Sequence, residues 1–355
     1  MLVFLFLSIL SLLFFFVKNE HGKGKMLIRV VAFVLFCTVF WNITYFVDRY
    51  NYEVMFNNID SYDTDFIYRV LSLVAQNYGW SFDDIYLFHI VFIAFFCVLF
   101  IARFTSQVLF IVLMLCIFRY VDFANQIRYY LGFFIALNAL YLLIAKRYFG
   151  IGAFLSVIAI LSHFSLILLF LILFFYKLLA KFKLKFIIMF NIIILFSMSM
   201  IMKFVNYLFP SYFKYFDNPD GQSSILGGLF DAFPAIIVFF LVFFNHKKVN
   251  GDEIMSRDKK YKFLYSLSVF SFFFISIGFL FRIVADRFVL SFSVVWLLLL
   301  VYSIKYHAPS NWFKQKCLIF INVLVMILWF YFSSYFLFGD GYYFNEALLM
   351  LYLDF

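Results

Sequence analysis

The sequence predicts an all-α, polytopic integral membrane protein, and three observations lead to this fold class. Hydrophobic residues make up 66% of the 355 residues and charged residues only 13%, which leaves too little polar surface for a water-soluble domain. Apolar runs of about twenty residues, the length of one membrane crossing, recur from end to end. Lysines and arginines collect in short intervals between these runs, as they do in cytoplasmic loops.

The apolar runs predict about twelve transmembrane helices, with a range of roughly ten to thirteen, in a single domain over residues 1–355. The first run has neither the basic start nor the small-residue cleavage site of a signal peptide, so we expect it to remain as a helix. The predicted spans are residues 2–17, 30–47, 85–102, 107–121, 129–145, 150–162, 164–180, 186–202, 232–245, 263–281, 288–304 and 317–338.

The basic intervals set the predicted orientation, because positively charged loops face the cytoplasm. They place the basic loop 246–262 inside, both termini outside, and two long loops, 48–84 and 203–231, outside. The net charge of +9 reflects the same bias. No basic helix with base-reading residues occurs, so nucleic acid is not expected as a partner.

The two outside loops differ in character. Loop 48–84 is aromatic and acidic, and DFIYRVLSLVAQNYG within it predicts a helix that Asp63 or Thr64 caps and Gly79 ends. Prolines and glycines predict an irregular loop over 203–231. Long loops in compact proteins are often functional lids, and the aromatic side chains of 48–84 favour such a role over that of a linker.

The apolar stretch 150–179 is too short for two full crossings, although basic residues flank both of its ends. About thirty helical residues cover ~45 Å, whereas two crossings need ~60 Å. Two short helices that meet near SHFS (162–165) resolve this conflict and put His163 at the turn. A lone histidine on an apolar background is either a packing residue or a general base or phosphate donor.

Arginines stand at the predicted outer ends of helices, against the positive-inside bias. Ionisable groups at membrane depth cost several kcal/mol unless they are paired or hydrated, so they indicate function. Arg119, Asp122 and Gln126 have the i, i+3, i+7 spacing of one helix face. Arg282 and Asp286 are spaced to pair at i and i+4.

These arginines have two interpretations. Internal ion pairs would hold helices together, but they leave Arg128 and Arg287 without an acidic partner nearby in the sequence. The alternative is an anion site, since one guanidinium group can bind two phosphate oxygens at once and keeps its charge in apolar surroundings. A lipid-linked pyrophosphate is the natural anion at this depth.

No metal and no cofactor are expected. DTD (63–65) resembles the metal-binding D-x-D of sugar transferases, but helix capping is the more common role of such residues. No His, Cys and Asp set has ligand spacing, and neither a phosphate-cradling glycine loop nor G-x-S-x-G occurs. The four cysteines stand singly, as packing residues do.

The segment NQIRYYLGFFIALNALYLLIAKRYFGIGAFLSVIAILSHFSLILLF resembles the central block of the EpsG-like group of Wzy-type bacterial polysaccharide polymerases. That block begins with Asn/Gln-x-Arg, and its second helix ends in His-x-Ser. The matching positions are Asn125, Gln126, Arg128, His163 and Ser165. Where the family often has Gln after its arginine, this chain has Tyr129.

Two further segments match the family more loosely. YNYEVMFNNIDSYDTDFIYRVLSLVAQNYGW resembles its first outside loop, with Asp65 at the acidic position and Gly79 near the end of the helix. FRIVADRF resembles the late arginine segment, where either Arg282 or Arg287 is the match.

The resemblance implies a GT-C-like, O-antigen polymerase-type helical bundle with a large outside loop in the bacterial inner (plasma) membrane. It implies a metal-independent glycosyltransferase that moves a growing glycan from undecaprenyl pyrophosphate onto another lipid-linked repeat unit of an O-antigen or exopolysaccharide. The lipid-linked glycan is then both donor and acceptor. Membrane lipids and a chain-length regulator protein are the further partners to expect.

Under this hypothesis Arg128 acts on the pyrophosphate, with Arg282 or Arg287 as the second half of a clamp. His163 or Asp65 helps to deprotonate the acceptor hydroxyl. The residues expected to bind or orient substrate are Arg119, Asp122, Asn125, Gln126, Arg282, Asp286 and Arg287.

Three other functions remain open at this point. An O-antigen ligase uses the same lipid donor with a different acceptor. A flippase or transporter for the lipid-linked glycan performs no chemistry, but such proteins usually show related halves, and none is visible. A membrane acyltransferase also uses a buried histidine, but it does not explain arginines at the outer face.

Overall fold

The computed structural model describes residues 22–41, 47–61, 64–118, 120–208, 225–278, 281, 284–308 and 311–321. Every regular element in these ranges is an α-, 3-10 or π-helix, which confirms the all-α prediction. The described residues fall in two compact units. The first runs up to Leu173 and includes residues 316–321, and the second runs from Phe174 to Gln315.

The first unit contains the predicted outside loop 48–84 and the helices on either side of it. Its α-helices are α1 (Gly22–Trp41), α2 (Val47–Asn57), α3 (Phe66–Asn77), α4 (Phe82–Ala102), α5 (Val108–Phe118), α6 (Tyr120–Asn125), α7 (Ile127–Leu140) and α8 (Phe149–Ser162). α7 continues as a π-helix, Tyr141–Lys146, and a 3-10 helix, Phe164–Leu171, follows α8 and leads into α9 (Ile172–Leu179). Loop 48–84 is therefore mostly helical.

Helix α7 is the centre of the first unit. All of its residues are buried except Arg128, and it packs against α4 and α8. Close packing against α8 depends on Gly132, because a Cβ there would lie 2.5 Å from Leu166 Cδ1 and 2.9 Å from the carbonyl oxygen of Ala159. Asn138 also ties α7 to α4, by donating to the carbonyl of Phe96 at 2.9 Å.

The second unit contains α10 (Leu184–Leu208), α11 (Ile225–Lys248), α12 (Gly251–Arg257), α13 (Lys259–Phe272), α14 (Ile275–Gly278) and α15 (Ser293–Ser303). A π-helix, Ala285–Val289, and a short 3-10 helix precede α15. Asn191 on α10 donates to the carbonyl of Phe272 at 3.0 Å and accepts from the amide of Ser276 at 2.9 Å. It thereby provides hydrogen-bond partners for a backbone carbonyl and a backbone amide that lose their helical partners where α13 ends and α14 begins.

Asp258 caps α13 and ties it to the end of α15. Its Oδ1 accepts from the amides of Lys260 and Tyr261 at 2.8 and 3.2 Å. Its Oδ2 accepts from the Tyr302 hydroxyl at 2.7 Å, from Lys305 Nζ at 3.0 Å and from the Tyr306 hydroxyl. Burial raises the pKa of Asp258, but the hydrogen bonds outweigh it and hold the pKa well below its ordinary value.

Five of the described helical segments are long and apolar enough to cross a membrane, so the chain is a multi-pass membrane protein. They are Gly24–Trp41, Phe82–Ala102, Ile127–Lys146, Lys259–Gly278 and Arg287–Tyr306. Each falls on a span that the sequence predicts. The total of about twelve helices stays a prediction, because residues 2–17 and most of 317–338 lie outside the described part of the chain.

Two details differ from the sequence prediction. Gln126 has φ −107° and ψ 52°, so it interrupts the helix between α6 and α7, and the prediction that Arg119, Asp122 and Gln126 share one continuous helix face is wrong. The segment 203–231 is helical at both ends, where α10 extends to Leu208 and α11 begins at Ile225. The residues between these helices lie outside the described ranges.

Candidate active site

Arg128 stands at the start of α7, the one residue of that helix that is not buried. Its Nη1 lies 3.0 Å from Asp65 Oδ2, and both side chains are 18% exposed. The same nitrogen donates to the Thr64 hydroxyl. The sequence offers Arg128 no acidic partner nearby, and the structure pairs it instead with a distant one. Its partner comes from loop 48–84, which the sequence separates widely from α7.

Two tyrosine rings enclose the Arg128 guanidinium. Its carbon lies 4.9 Å from the ring centroid of Tyr52 and 5.5 Å from that of Tyr68, distances at which the ring faces attract a cation. The Tyr68 hydroxyl donates to the carbonyl of Tyr52 at 2.7 Å, which fixes α2 and α3 around the arginine. Burial raises the pKa of Tyr68, so its hydroxyl stays protonated. The Nε of Arg128 is buried and has no hydrogen-bond partner among the described residues.

Asp65 occupies the N-cap position of α3 but makes no side-chain cap. Its Oδ2 pairs with Arg128, and its Oδ1 accepts from the amide of Phe164 at 3.4 Å. The predicted cap by Thr64 is wrong, since the Thr64 hydroxyl accepts from Arg128 instead, and Asp63 lies outside the described residues. The carboxylate of Asp65 therefore contacts residues of other helices instead of its own.

The predicted end of α3 is confirmed. Gly79 has a φ of +71°, a left-handed conformation that glycine adopts without strain. The amide of Trp80 donates to the carbonyl of Ala75 at 2.9 Å, and that of Gly79 donates to Gln76 at 3.1 Å. These two bonds form a Schellman motif, which ends the helix.

His163 lies at the turn between α8 and the 3-10 helix, as the sequence predicts. Its Nδ1 is 2.9 Å from the hydroxyl oxygen of Ser165, so the His-x-Ser spacing lets the serine fix the imidazole. Its ring meets the ring of Tyr129 edge-on, with centroids 5.4 Å apart and planes at 86°. Tyr129, where the chain departs from the family pattern, therefore packs against the histidine.

Three of the predicted residues lie close together. Asp65 stands at the start of α3, Arg128 at the start of α7 and His163 at the end of α8. Asp65 links the other two, since it pairs with Arg128 and accepts from the amide that follows His163. Tyr52 and Tyr68 are not among the predicted site residues, and Thr64 was expected only to cap α3. The many aromatic residues of loop 48–84 are the only signal that pointed to the two tyrosines.

Two of the predicted substrate-binding residues lie next to this cluster. Asn125 Oδ1 accepts from the amide of Asp48 at 3.1 Å and so caps the start of α2. Gln126 precedes α7, and its Oε1 is buried without a hydrogen-bond partner in the described part of the chain. Asp122 lies on α6, and Arg119 lies outside the described residues.

The late arginine segment belongs to the second unit. Asp286 and Arg287 lie on the π-helix before α15, and the carbonyl of Arg287 accepts from the Ser291 hydroxyl. Arg282 lies outside the described residues. The predicted pairing of Arg282 with Asp286 and the predicted second half of the clamp therefore stay predictions.

The remaining histidine in an apolar run, His89, has a packing role. It is buried on α4, where its Nδ1 contacts the carbonyl of Ile85 at 2.8 Å and its ring lies 5.7 Å from that of Tyr68. No group of three or more His, Cys, Asp or Glu residues suited to a metal ion occurs among the described residues.

The helices and the cluster define a multi-pass, all-α membrane protein with a half-buried arginine–carboxylate pair beside a histidine turn. The family model of the EpsG family matches residues 25–344, and the chain belongs to that family. This confirms the resemblance carried by the central block and connects the protein to polysaccharide biosynthesis. No curated protein and no solved structure matches the chain.

Proposed function

We propose that this protein polymerises lipid-linked oligosaccharide repeat units by glycosyl transfer at the outer face of the bacterial inner membrane. The hydroxyl oxygen of the acceptor unit attacks the anomeric carbon of the donor glycan. The bond from that carbon to the pyrophosphate oxygen breaks, undecaprenyl pyrophosphate leaves, and a base takes the hydroxyl proton. The proposal rests on the proximity of Arg128, Asp65 and His163, which belong to three separate helices.

Arg128 stabilises the negative charge that grows on the leaving pyrophosphate. Its guanidinium keeps its charge in apolar surroundings and presents several N–H groups in one plane. Its buried Nε, which lacks a partner among the described residues, supplies one donor for a phosphate oxygen. The tyrosine rings on either side hold the guanidinium in place before the substrate arrives.

His163 is the better of the two candidate bases. Both oxygens of Asp65 are engaged, by Arg128 and by the amide of Phe164, so Asp65 serves to position Arg128. His163 Nδ1 lies within hydrogen-bond distance of the Ser165 hydroxyl, which can accept from or donate to it. If Nδ1–H donates to the serine oxygen, Nε2 carries the lone pair that accepts the acceptor's proton.

The other members of the site support the substrate. Gln126 offers its buried side-chain oxygen next to Arg128, and Asn125 holds α2, which carries Tyr52. From the sequence alone, Arg282 or Arg287 is the second cation proposed for the pyrophosphate, with Asp286 as its orienting carboxylate. The reaction as written needs no metal ion. A chain-length regulator protein is the partner that would set the number of repeats.

Deletion of the gene in its own host tests the proposal, with the surface glycan separated on a gel. A ladder that collapses to core plus one repeat unit supports a polymerase, because a single unit is still flipped and ligated. Loss of every rung contradicts the proposal and indicates a ligase or a flippase. Complementation with Arg128→Ala should leave the collapsed ladder unchanged while the protein remains in the membrane.

A further inference from the structure

The second unit contains a large basic cavity that the glycosyl transfer does not use. It has a volume of about 1070 Å³ and lies where the chain connects α9 to α10 and α11 to α12. The sequence predicts that both connections face the cytoplasm, the side opposite the proposed transfer reaction. Five lysines line it: Lys177, Lys181, Lys183, Lys247 and Lys262.

The charge of these lysines is not balanced by acidic side chains. None of the five forms an ion pair within the described part of the chain, where the ion pairs involve other residues. The two acidic residues at the cavity have partners of their own. Asp252 lies 3.3 Å from His246 Nε2, and Glu253 pairs with Arg257 at 2.9 Å. Five lysines against two carboxylates leave the cavity with an excess of positive charge, which favours an anionic occupant.

Exposed aromatic rings precede two of these lysines on their helices. Phe174 on α9 is 82% exposed and stands one helical turn before Lys177. Phe244 on α11 lines the cavity, is 65% exposed and stands one turn before Lys247. Each helix thus presents an exposed aromatic ring just on the membrane side of a lysine, the arrangement that suits a charged head attached to acyl chains.

We propose that this cavity binds the phosphate headgroup of an anionic phospholipid of the inner leaflet, with the acyl chains lying along Phe174 and Phe244. The volume exceeds what a single phosphate ion needs and lies near the upper end of ligand pockets, roughly 300–1,000 Å³. A soluble anion would use the lysines but would leave the exposed rings uncovered. The bound lipid fixes the two basic connections at the membrane surface.

Two triple variants of the full chain test this site. Lys181→Gln, Lys183→Gln and Lys247→Gln together remove charge from the cavity. Lys185→Gln, Lys248→Gln and Lys259→Gln together remove the same charge from neighbouring exposed positions that do not line the cavity. A third triple, Lys181→Arg, Lys183→Arg and Lys247→Arg, keeps the charge and shows whether changes at these positions are tolerated.

Binding is measured with phosphatidylglycerol titrated into protein purified in a neutral detergent, with phosphatidylcholine as the comparison lipid. We expect wild type, the control triple and the arginine triple to bind phosphatidylglycerol and not phosphatidylcholine. The cavity triple should bind about a hundredfold more weakly, the loss expected for three lysines near an anionic surface.

Three results would overturn the proposal. Equal weakening in the cavity and control triples would show general surface electrostatics, and unchanged binding in the cavity triple would place the lipid elsewhere. Displacement of the lipid by inorganic phosphate or glycerol phosphate at equal concentration would show that the acyl chains contribute nothing. If the glutamine triple does not fold, displacement of the lipid from wild-type protein by inorganic phosphate would still overturn the proposal.

Discussion

The carboxylate of Asp65 lies 3.0 Å from the guanidinium of Arg128, although Asp65 occupies a position where it could cap its own helix. An N-cap aspartate contributes about 0.5–2 kcal/mol through its bond to the helix backbone. Here that bond is absent, and the carboxylate reaches instead to another helix and to the amide of Phe164. The site thus gives up local helix stability to hold its arginine.

Asp65→Asn should lower polymer formation strongly. It should also lower the free energy of unfolding by about 1–3 kcal/mol, because a half-buried charge loses its partner. The asparagine keeps the shape of the side chain but leaves the arginine without a counter-charge. Polymer length on gels and thermal unfolding in detergent measure the two effects. Asp83→Asn is the control, since Asp83 pairs with Arg49 and is 63% exposed. Equal loss of polymer in both variants would contradict a specific role for Asp65.

His163→Ala should reduce the rate of polymerisation about a hundredfold or more, the usual contribution of a general base. Ser165→Ala removes only the contact to Nδ1 and should cost much less. The rate is measured with purified protein and lipid-linked repeat units. A His163→Ala variant that polymerises at the normal rate would return the role of base to Asp65.

Gly132→Ala should destabilise the first unit by about 1–3 kcal/mol, the cost of overpacking. The added methyl would meet Leu166 at 2.5 Å and the carbonyl of Ala159 at 2.9 Å. Gly150→Ala is the matched control, because Gly150 also lies in a helix and a Cβ there meets nothing within 4 Å. The melting temperature in detergent should therefore fall for the Gly132→Ala variant only. Equal melting temperatures would show that α7 and α8 adjust to the methyl group.

Asp258→Asn should destabilise the second unit near neutral pH by about 1–3 kcal/mol. The asparagine can still cap α13, but it lacks the negative charge that Lys305 and two tyrosine hydroxyls bind. The folded protein holds the pKa of Asp258 below its unfolded value, so the carboxylate stabilises the fold above the unfolded pKa of about 4. That contribution is lost as the pH falls through the folded pKa. Unfolding of both proteins between neutral and acidic pH checks this. A difference that persists at the acidic end would contradict it.

The sequence was sufficient for the fold class and for several element positions, because both follow from strong local signals. Long apolar runs allow little besides membrane helices, and the length of 150–179 required a turn at His163. The helix break at Gln126 has no such signal, since no proline or glycine marks it.

The candidate site was predictable as a set of residues but not as a set of contacts. Arg128 and His163 stood out as polar groups among apolar neighbours. That Asp65 rather than an anion faces Arg128, and that Tyr52 and Tyr68 enclose it, depends on how loop 48–84 folds onto α7. Such long-range contacts leave no periodic pattern in one sequence.

The most direct test of the central claim compares Arg128→Lys with Arg49→Lys. Arg49 makes the same two kinds of contact as Arg128: it pairs with a carboxylate, Asp83, at 2.7 Å and lies 4.2 Å from the ring centroid of Tyr86. Both variants keep the positive charge, but a lysine cannot reproduce the planar array of donors.

The measurement is the release of undecaprenyl pyrophosphate and the growth of polymer by purified protein supplied with lipid-linked repeat units. We predict that Arg128→Lys lowers both together by about a hundredfold, while Arg49→Lys stays within a few-fold of wild type. Normal release and normal polymer with Arg128→Lys would contradict the assignment of Arg128 to the leaving pyrophosphate.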